Sequence, residues 1–83
     1  MNSELSQHAQ DALSERAIPR EWLERVLNTP EKTEPDKADA PAAHHLGRMR
    51  RAWQSVLRVV VNHQVSPVRV ITVYFDRTMK GKL

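Results

Sequence analysis

The chain has no cysteine, only two glycines and only four aromatic residues, Trp22, Trp53, Tyr74 and Phe75. The missing cysteines exclude a disulfide framework, a thiolate metal site and a thiol nucleophile, and they fit a cytoplasmic chain. With Gly47 and Gly81 alone, there is no glycine-rich loop to cradle a phosphate, so nucleotide hydrolysis of the P-loop type is excluded. The scarcity of large rings leaves the core to Val, Leu and Ile. Long hydrophobic runs are also missing. The longest, Val59–Val61, is far too short to span a bilayer, and the polar opening MNSELSQHAQ lacks the apolar stretch of a signal peptide. No membrane association is expected.

Four histidines are present, His8, His44, His45 and His63, but no HExxH spacing accompanies them. His44 and His45 are adjacent, and neighbours on a strand point to opposite faces, so the two would not chelate together. No metal and no cofactor are expected. No serine sits in a strand-turn-helix elbow of the kind a hydrolase needs.

What the chain does have is an uneven charge. Residues 1–42 carry five Lys/Arg against nine Asp/Glu, whereas residues 43–83 carry eight Lys/Arg against Asp76 alone. Two readings follow. The basic half presents a face to an anionic partner, either RNA or an acidic protein. Alternatively, the basic half complements the acidic half within the fold.

With 83 residues the chain reads as one domain, residues 1–83, with a small core. Leu5, Ala9, Ala12 and Leu13 form one stripe of a first helix of about ten residues, capped by Ser3 or Ser6. Ile18-Pro19 interrupts the pattern. A second helix runs from about Pro19 to Asn28 with Trp22, Leu23, Val26 and Leu27 on its apolar side, and Asn28-Thr29-Pro30 stops it. Residues 30–43 read as a loop with a short edge strand at residues 32–34. The pattern then alternates. Strands are expected over residues 44–50, 52–62 and 68–77, the last with Val68, Val70, Thr72 and Tyr74 on one face and Arg69, Ile71, Val73 and Phe75 on the other. The fold class is α+β: two N-terminal helices packed on a three- to four-stranded antiparallel sheet, with the second sheet face free to be solvated. Exposed strand edges leave a homodimer open.

The residues able to carry chemistry are His8, Arg16, His44 or His45, Arg48, Arg50, Arg58, Tyr74, Arg77, Lys80 and Lys82. Two chemistries use such a set. In metal-independent RNA cleavage, a base takes the ribose 2′-hydroxyl proton, cations stabilise the charge on the phosphate, and an acid protonates the leaving oxygen. In plain binding the same cations neutralise phosphates while a ring stacks on a base. Arg58, flanked by Leu57 and Val59, either lies on the open sheet face or pairs with a helix carboxylate such as Glu15 or Glu24.

His8-Ala9, then Glu15-Arg16-Ala17-Ile18, then Trp22, Val26-Leu27 and Pro30 resemble the opening of the domain of unknown function 4258 family. Residues 55–61 (SVLRVVV) resemble its central strand and residues 70–74 (VITVY) its closing strand. The family is distantly similar to BrnT-like toxins and, more loosely, to RelE-like ribonucleases of toxin–antitoxin systems, which are compact α+β proteins held inactive by an antitoxin. The resemblance implies a toxin-like endoribonuclease, or a relic of one, with Arg58 on the central strand and Arg77 and Lys80 after the closing strand as catalytic candidates, and an acidic antitoxin-like partner. His8 is added to the catalytic candidates, and Arg16, Arg48, Arg50 and Tyr74 are the binding candidates. His8 and Arg16 match the family's opening motif, to which the resemblance attaches no role. BrnT-like toxins carry a short strand with an aromatic-Trp-Asp motif before the first helix. Here only Met1-Asn2-Ser3-Glu4 stands at that place, and no strand is expected.

Overall fold

The computed structural model describes residues 2–49, 55–79 and 81–83. Its elements are β1 (Ser3–Leu5), α1 (Gln7–Glu15), α2 (Arg20–Asn28), β2 (Lys32–Pro35), β3 (Ala42–Met49), β4 (Ser55–Asn62) and β5 (Val68–Phe75), followed by one 3₁₀ turn at Arg77–Met79. The strands form one sheet in the order β1-β5-β4-β3-β2. The α+β class holds, with two corrections. The described residues form five strands, and the sheet is mixed, because β1 runs parallel to β5. The strand not expected ahead of the first helix is therefore present, and Leu5 belongs to it rather than to α1.

Ser6 explains how β1 turns into α1. Its side-chain oxygen accepts the Ala9 N–H at 3.0 Å and its hydroxyl donates to the Ile71 carbonyl at 2.9 Å. Its own N–H reaches the Val70 carbonyl at 3.0 Å. One serine thus caps the helix and ties it to β5. The other end of α1 closes with the Ile18 N–H on the Leu13 carbonyl and the Ala17 N–H on the Ser14 carbonyl, with Ala17 at φ 51°. This is a Schellman motif carrying alanine at the left-handed position where glycine is usual. α2 begins after Pro19 and ends where the Thr29 N–H and hydroxyl both reach the Arg25 carbonyl.

Both helices lie on one sheet face. Ala9, Ala12, Ile18, Leu23, Val26 and Leu27 meet Met49, Leu57, Val59, Val61, Val70 and Val73 in the core. Trp22 meets Phe75 edge-on, with ring centroids 6.2 Å apart. The glycine of β3 lets α2 approach closely: a Cβ on Gly47 would lie 2.9 Å from Val26 Cγ2.

The expected alternation of β5 fails in the middle, for a physical reason. Val60 pairs with Thr72 but Val61 pairs with Val70, so Ile71 is an extra residue in β5. This bulge resets the two-residue period. Val70 and Val73 both join the core, with Val68 and Phe75 packed against it, rather than falling on opposite faces. The second face is also less open than expected. Leu46 and Val56 lie there, on the side of Arg58, and are 0% and 1% exposed.

Candidate functional site

Register places the site. Leu46 on β3 and Tyr74 on β5 lie directly across from Arg58 on β4, all on the face away from the helices. His44 pairs with Val60 on β4 and with Glu34 on β2. The Asp76 N–H donates to the Val56 carbonyl at 2.8 Å, which sets Asp76 one row from Arg58. Three groups from three segments, Glu34, His44 and Asp76, therefore converge on one guanidinium.

Arg58 Nε donates to Asp76 Oδ2 at 2.7 Å, and its Nη2 lies 2.7 Å from the same oxygen. Its Nη1 donates to Glu34 Oε1 at 3.2 Å and to His44 Nδ1 at 2.8 Å. His44 Nε2 in turn meets Asp36 Oδ1 at 2.7 Å. A guanidinium has only donors, so His44 accepts at Nδ1 and carries its proton at Nε2, where it donates to Asp36. The result is a chain of charge-assisted hydrogen bonds, Asp36–His44–Arg58–Asp76, with Glu34 joined at Arg58. The Arg58 side chain is 11% exposed and that of Asp76 13%.

The electrostatics match this geometry. Hydrogen bonds from His44 and from the backbone N–H groups of Asp39 and Ala38 hold the Asp36 carboxyl below its ordinary range. Asp76 is lowered first by the Thr78 hydroxyl and then, against burial, by Arg58 and the Thr78 N–H. For Glu34, burial acts upward but the bonds from Arg58 and Lys32 outweigh it, and the net shift is down. Burial works against the Arg58 charge, yet its carboxylate partners raise its value further.

Beside this network lies a half-open cleft of about 590 Å³, lined among others by Glu34, Pro35, Asp36, His44, Arg58 and Met79. The connection between β2 and β3 forms one wall. The 3₁₀ turn contributes Met79 to the lining.

The candidates read from the sequence divide. Arg58 and Tyr74 are neighbours in the site. Arg48 lies one row away, on the same face, where Glu31 accepts its N–H at 3.0 Å and its Nε at 2.8 Å. Arg77 begins the 3₁₀ turn and is exposed, as is Lys82. His8 lies on α1 and Arg16 caps its end, both exposed and on the helix side of the sheet, away from Arg58. Arg50 and Lys80 lie outside the described residues. Arg58 pairs with carboxylates, but those of Asp76 and Glu34 rather than Glu15 or Glu24 of the helices. Among the described residues no group of three or more His, Asp or Glu is placed to hold a metal ion, and no helix is long and apolar enough to cross a membrane.

Glu34, Asp36 and Asp76 are not among the residues singled out from the sequence, and His44 is there only as an alternative to His45. One signal pointed to Asp76. It is the sole carboxylate in residues 43–83 and shares parity with Tyr74 on the strand beside Arg58. Nothing comparable marked Asp36, which sits in a turn.

Two helices on one face of a five-stranded mixed sheet, with an arginine-centred ion network on the other, define a small α+β domain. The chain belongs to the family described as Domain of unknown function (DUF4258), whose model matches residues 5–75. No curated protein and no solved structure matches it. The likeness to BrnT-like and RelE-like toxins therefore stays with the sequence motifs alone.

Proposed function

We propose that this protein is a non-catalytic module that binds single-stranded RNA through the end of the sheet bearing Arg77 and Lys82. The carrying observation is a division of labour among the cations. Arg58 and Arg48 are spent on carboxylates within the fold, whereas Arg77 and Lys82 are exposed and enter no ion pair among the described residues. Exposed cations without internal partners are the ones able to neutralise phosphates.

The toxin-like endoribonuclease reading asks more of the site. Arg58 would have to leave Asp76, Glu34 and His44 to meet a phosphate, and the carboxylates left behind would repel it. His44 has both ring nitrogens engaged, so it offers no free base. His8 lies on the other side of the sheet. An acidic antitoxin-like protein remains the alternative partner for the same cations. Self-pairing through strand edges is disfavoured, since β1 is three residues long and the other edge, β2, carries Lys32 and ends at Pro35.

Fluorescence anisotropy with a labelled single-stranded RNA across salt concentrations tests the proposal. Log affinity should fall linearly with log salt, with a slope of about −0.7 for each phosphate neutralised. Arg77→Ala and Lys82→Ala should each flatten that slope. A slope near zero overturns the reading, and RNA cleavage in EDTA that Arg58→Ala abolishes would replace it with the enzymatic one.

A further inference from the structure

The cleft beside Arg58 differs in kind from the basic end of the sheet. Arg58 is already matched to Asp76 and Glu34, and Asp36 accepts from the neutral His44, while Lys37 in the same lining is exposed. A charged ligand that engaged Arg58 or its carboxylates would have to break one of these pairs and leave its partner uncompensated. A neutral, planar, hydrogen-bonding ligand would not. The lining supplies apolar surface from Pro35 and Met79 for the faces of such a ring, and the volume of about 590 Å³ is large enough for one base.

The unspent hydrogen-bonding capacity in the cleft has a pattern. Glu34 is the most loosely held carboxylate, at 3.2 Å from Arg58 and 3.5 Å from Lys32, so both of its oxygens keep free lone pairs. Asp36, by contrast, gives Oδ1 to His44 and Oδ2 to two backbone N–H groups. A guanidinium has five N–H donors, and the contacts of Arg58 use four. The remaining donor is on Nη2, whose one printed partner is Asp76. The lining thus holds two carboxylate oxygens able to accept and one unspent arginine donor. The Watson–Crick edge of guanine presents the complement, the O6 acceptor followed by the N1–H and N2–H donors. Cytosine, adenine and uracil present other orders.

We propose that the cleft reads a guanine base of the bound RNA, with Glu34 accepting from N1–H and N2–H and Arg58 donating to O6. This rests on the RNA-binding reading above. The 3₁₀ turn joins the two surfaces, since Met79 lines the cleft and Arg77, two residues earlier, is exposed for a phosphate. Single-stranded RNA is suited to this because its bases are free to leave the stack and show their pairing edge.

The test compares a labelled nine-nucleotide oligouridine with the same strand carrying one central guanosine. Wild-type protein should bind the guanosine strand about tenfold more tightly, the scale of one bidentate base contact. Glu34→Gln, which puts donors where an acceptor is needed, should erase the preference while leaving oligouridine binding intact. Arg77→Ala should weaken both strands alike. Equal wild-type affinity for the two strands overturns the guanine site and leaves the RNA-binding reading standing. Binding to neither strand overturns both. The wild-type comparison decides the matter even if Glu34→Gln destabilises the fold.

Discussion

Arg58 Nη1 and His44 Nδ1 are 2.8 Å apart, and the hydrogen between them belongs to the arginine. That contact makes the imidazole an acceptor on one side and a donor on the other, toward Asp36. The histidine is a relay between a cation and a carboxylate, and its orientation is fixed at both ends. Long-range ¹H–¹⁵N correlation spectra should show His44 as the Nε2–H tautomer with an unprotonated Nδ1. Arg58→Met should release this restriction and let both tautomers appear. A Nδ1–H tautomer in the wild-type protein would contradict the relay.

Arg58 itself should be the most costly cation to remove. Its loss leaves Asp76 and Glu34 without their shared partner beside the buried Leu46 and Val56. Breaking a buried pair from one side typically costs about 3 kcal/mol. Urea denaturation of Arg58→Ala should show a loss of that order, and Asp76→Asn in the same chain should recover part of it. Lys82→Ala should leave stability unchanged.

Gly47 and Val26 should behave as a coupled pair. The 2.9 Å approach to Val26 Cγ2 leaves no room for a β-carbon. Gly47→Ala should destabilise by about 1–3 kcal/mol, as overpacking does. Val26→Ala should destabilise alone by opening a cavity, yet the double variant should lose less than the two singles together. Additive losses would mean that the contact does not limit helix approach.

The left-handed Ala17 offers the opposite sign. Glycine carries no β-carbon to strain at φ 51°, so Ala17→Gly should raise stability by up to about 1 kcal/mol and shift the melting temperature upward. A fall in melting temperature would show that the gain in unfolded-chain entropy outweighs the relieved strain.

Stability should rise with pH in two separate windows. Burial, with His63 nearby, holds His45 below its ordinary value, and its Nδ1 is buried without a hydrogen-bond partner among the described residues. The unfolded chain accepts a proton there near pH ~6.5 while the folded state resists, so stability falls as pH drops through that value. His45→Leu should flatten this limb. The second window lies lower. Glu31, Glu34, Asp36 and Asp76 all titrate below their ordinary values. Their contribution is complete above the unfolded carboxylate range of about 4 and is lost as pH falls through their depressed folded values. Chemical denaturation between pH 2 and 8 should resolve both limbs.

The elements that sequence revealed are those with local causes. The α2 stripe of Leu23, Val26 and Leu27, the stop at Asn28-Thr29-Pro30, and the alternation of β4 all follow from neighbouring residues. What escaped depends on distant pairing. β1 is three residues long and exists because β5 lies beside it, so no pattern within MNSEL announces a strand. The bulge at Ile71 is a matter of register between two strands, invisible in either alone. The site divides the same way. Arg58 could be placed away from Leu57 and Val59 by counting, but Tyr74 reaches it through strand register, and the carboxylates that hold Arg58 come from β2 and from beyond β5, so only the folded sheet brings them to it.

The pairing of β1 with β5 also constrains the order of events in folding. Ser6 and Ile71 are bonded across 65 positions of sequence, and the first strand has no neighbour in the sheet other than β5. The cap of α1 is completed by that same distant strand. The helix can begin to form early, but its anchoring waits for β5 to arrive, and the entropy of closing that long loop is spent before the contacts return anything. Opening should run in reverse: a chain that frays at β1 also lets go of the start of α1, so its first fifteen or so residues should exchange their amide hydrogens as one cooperative unit.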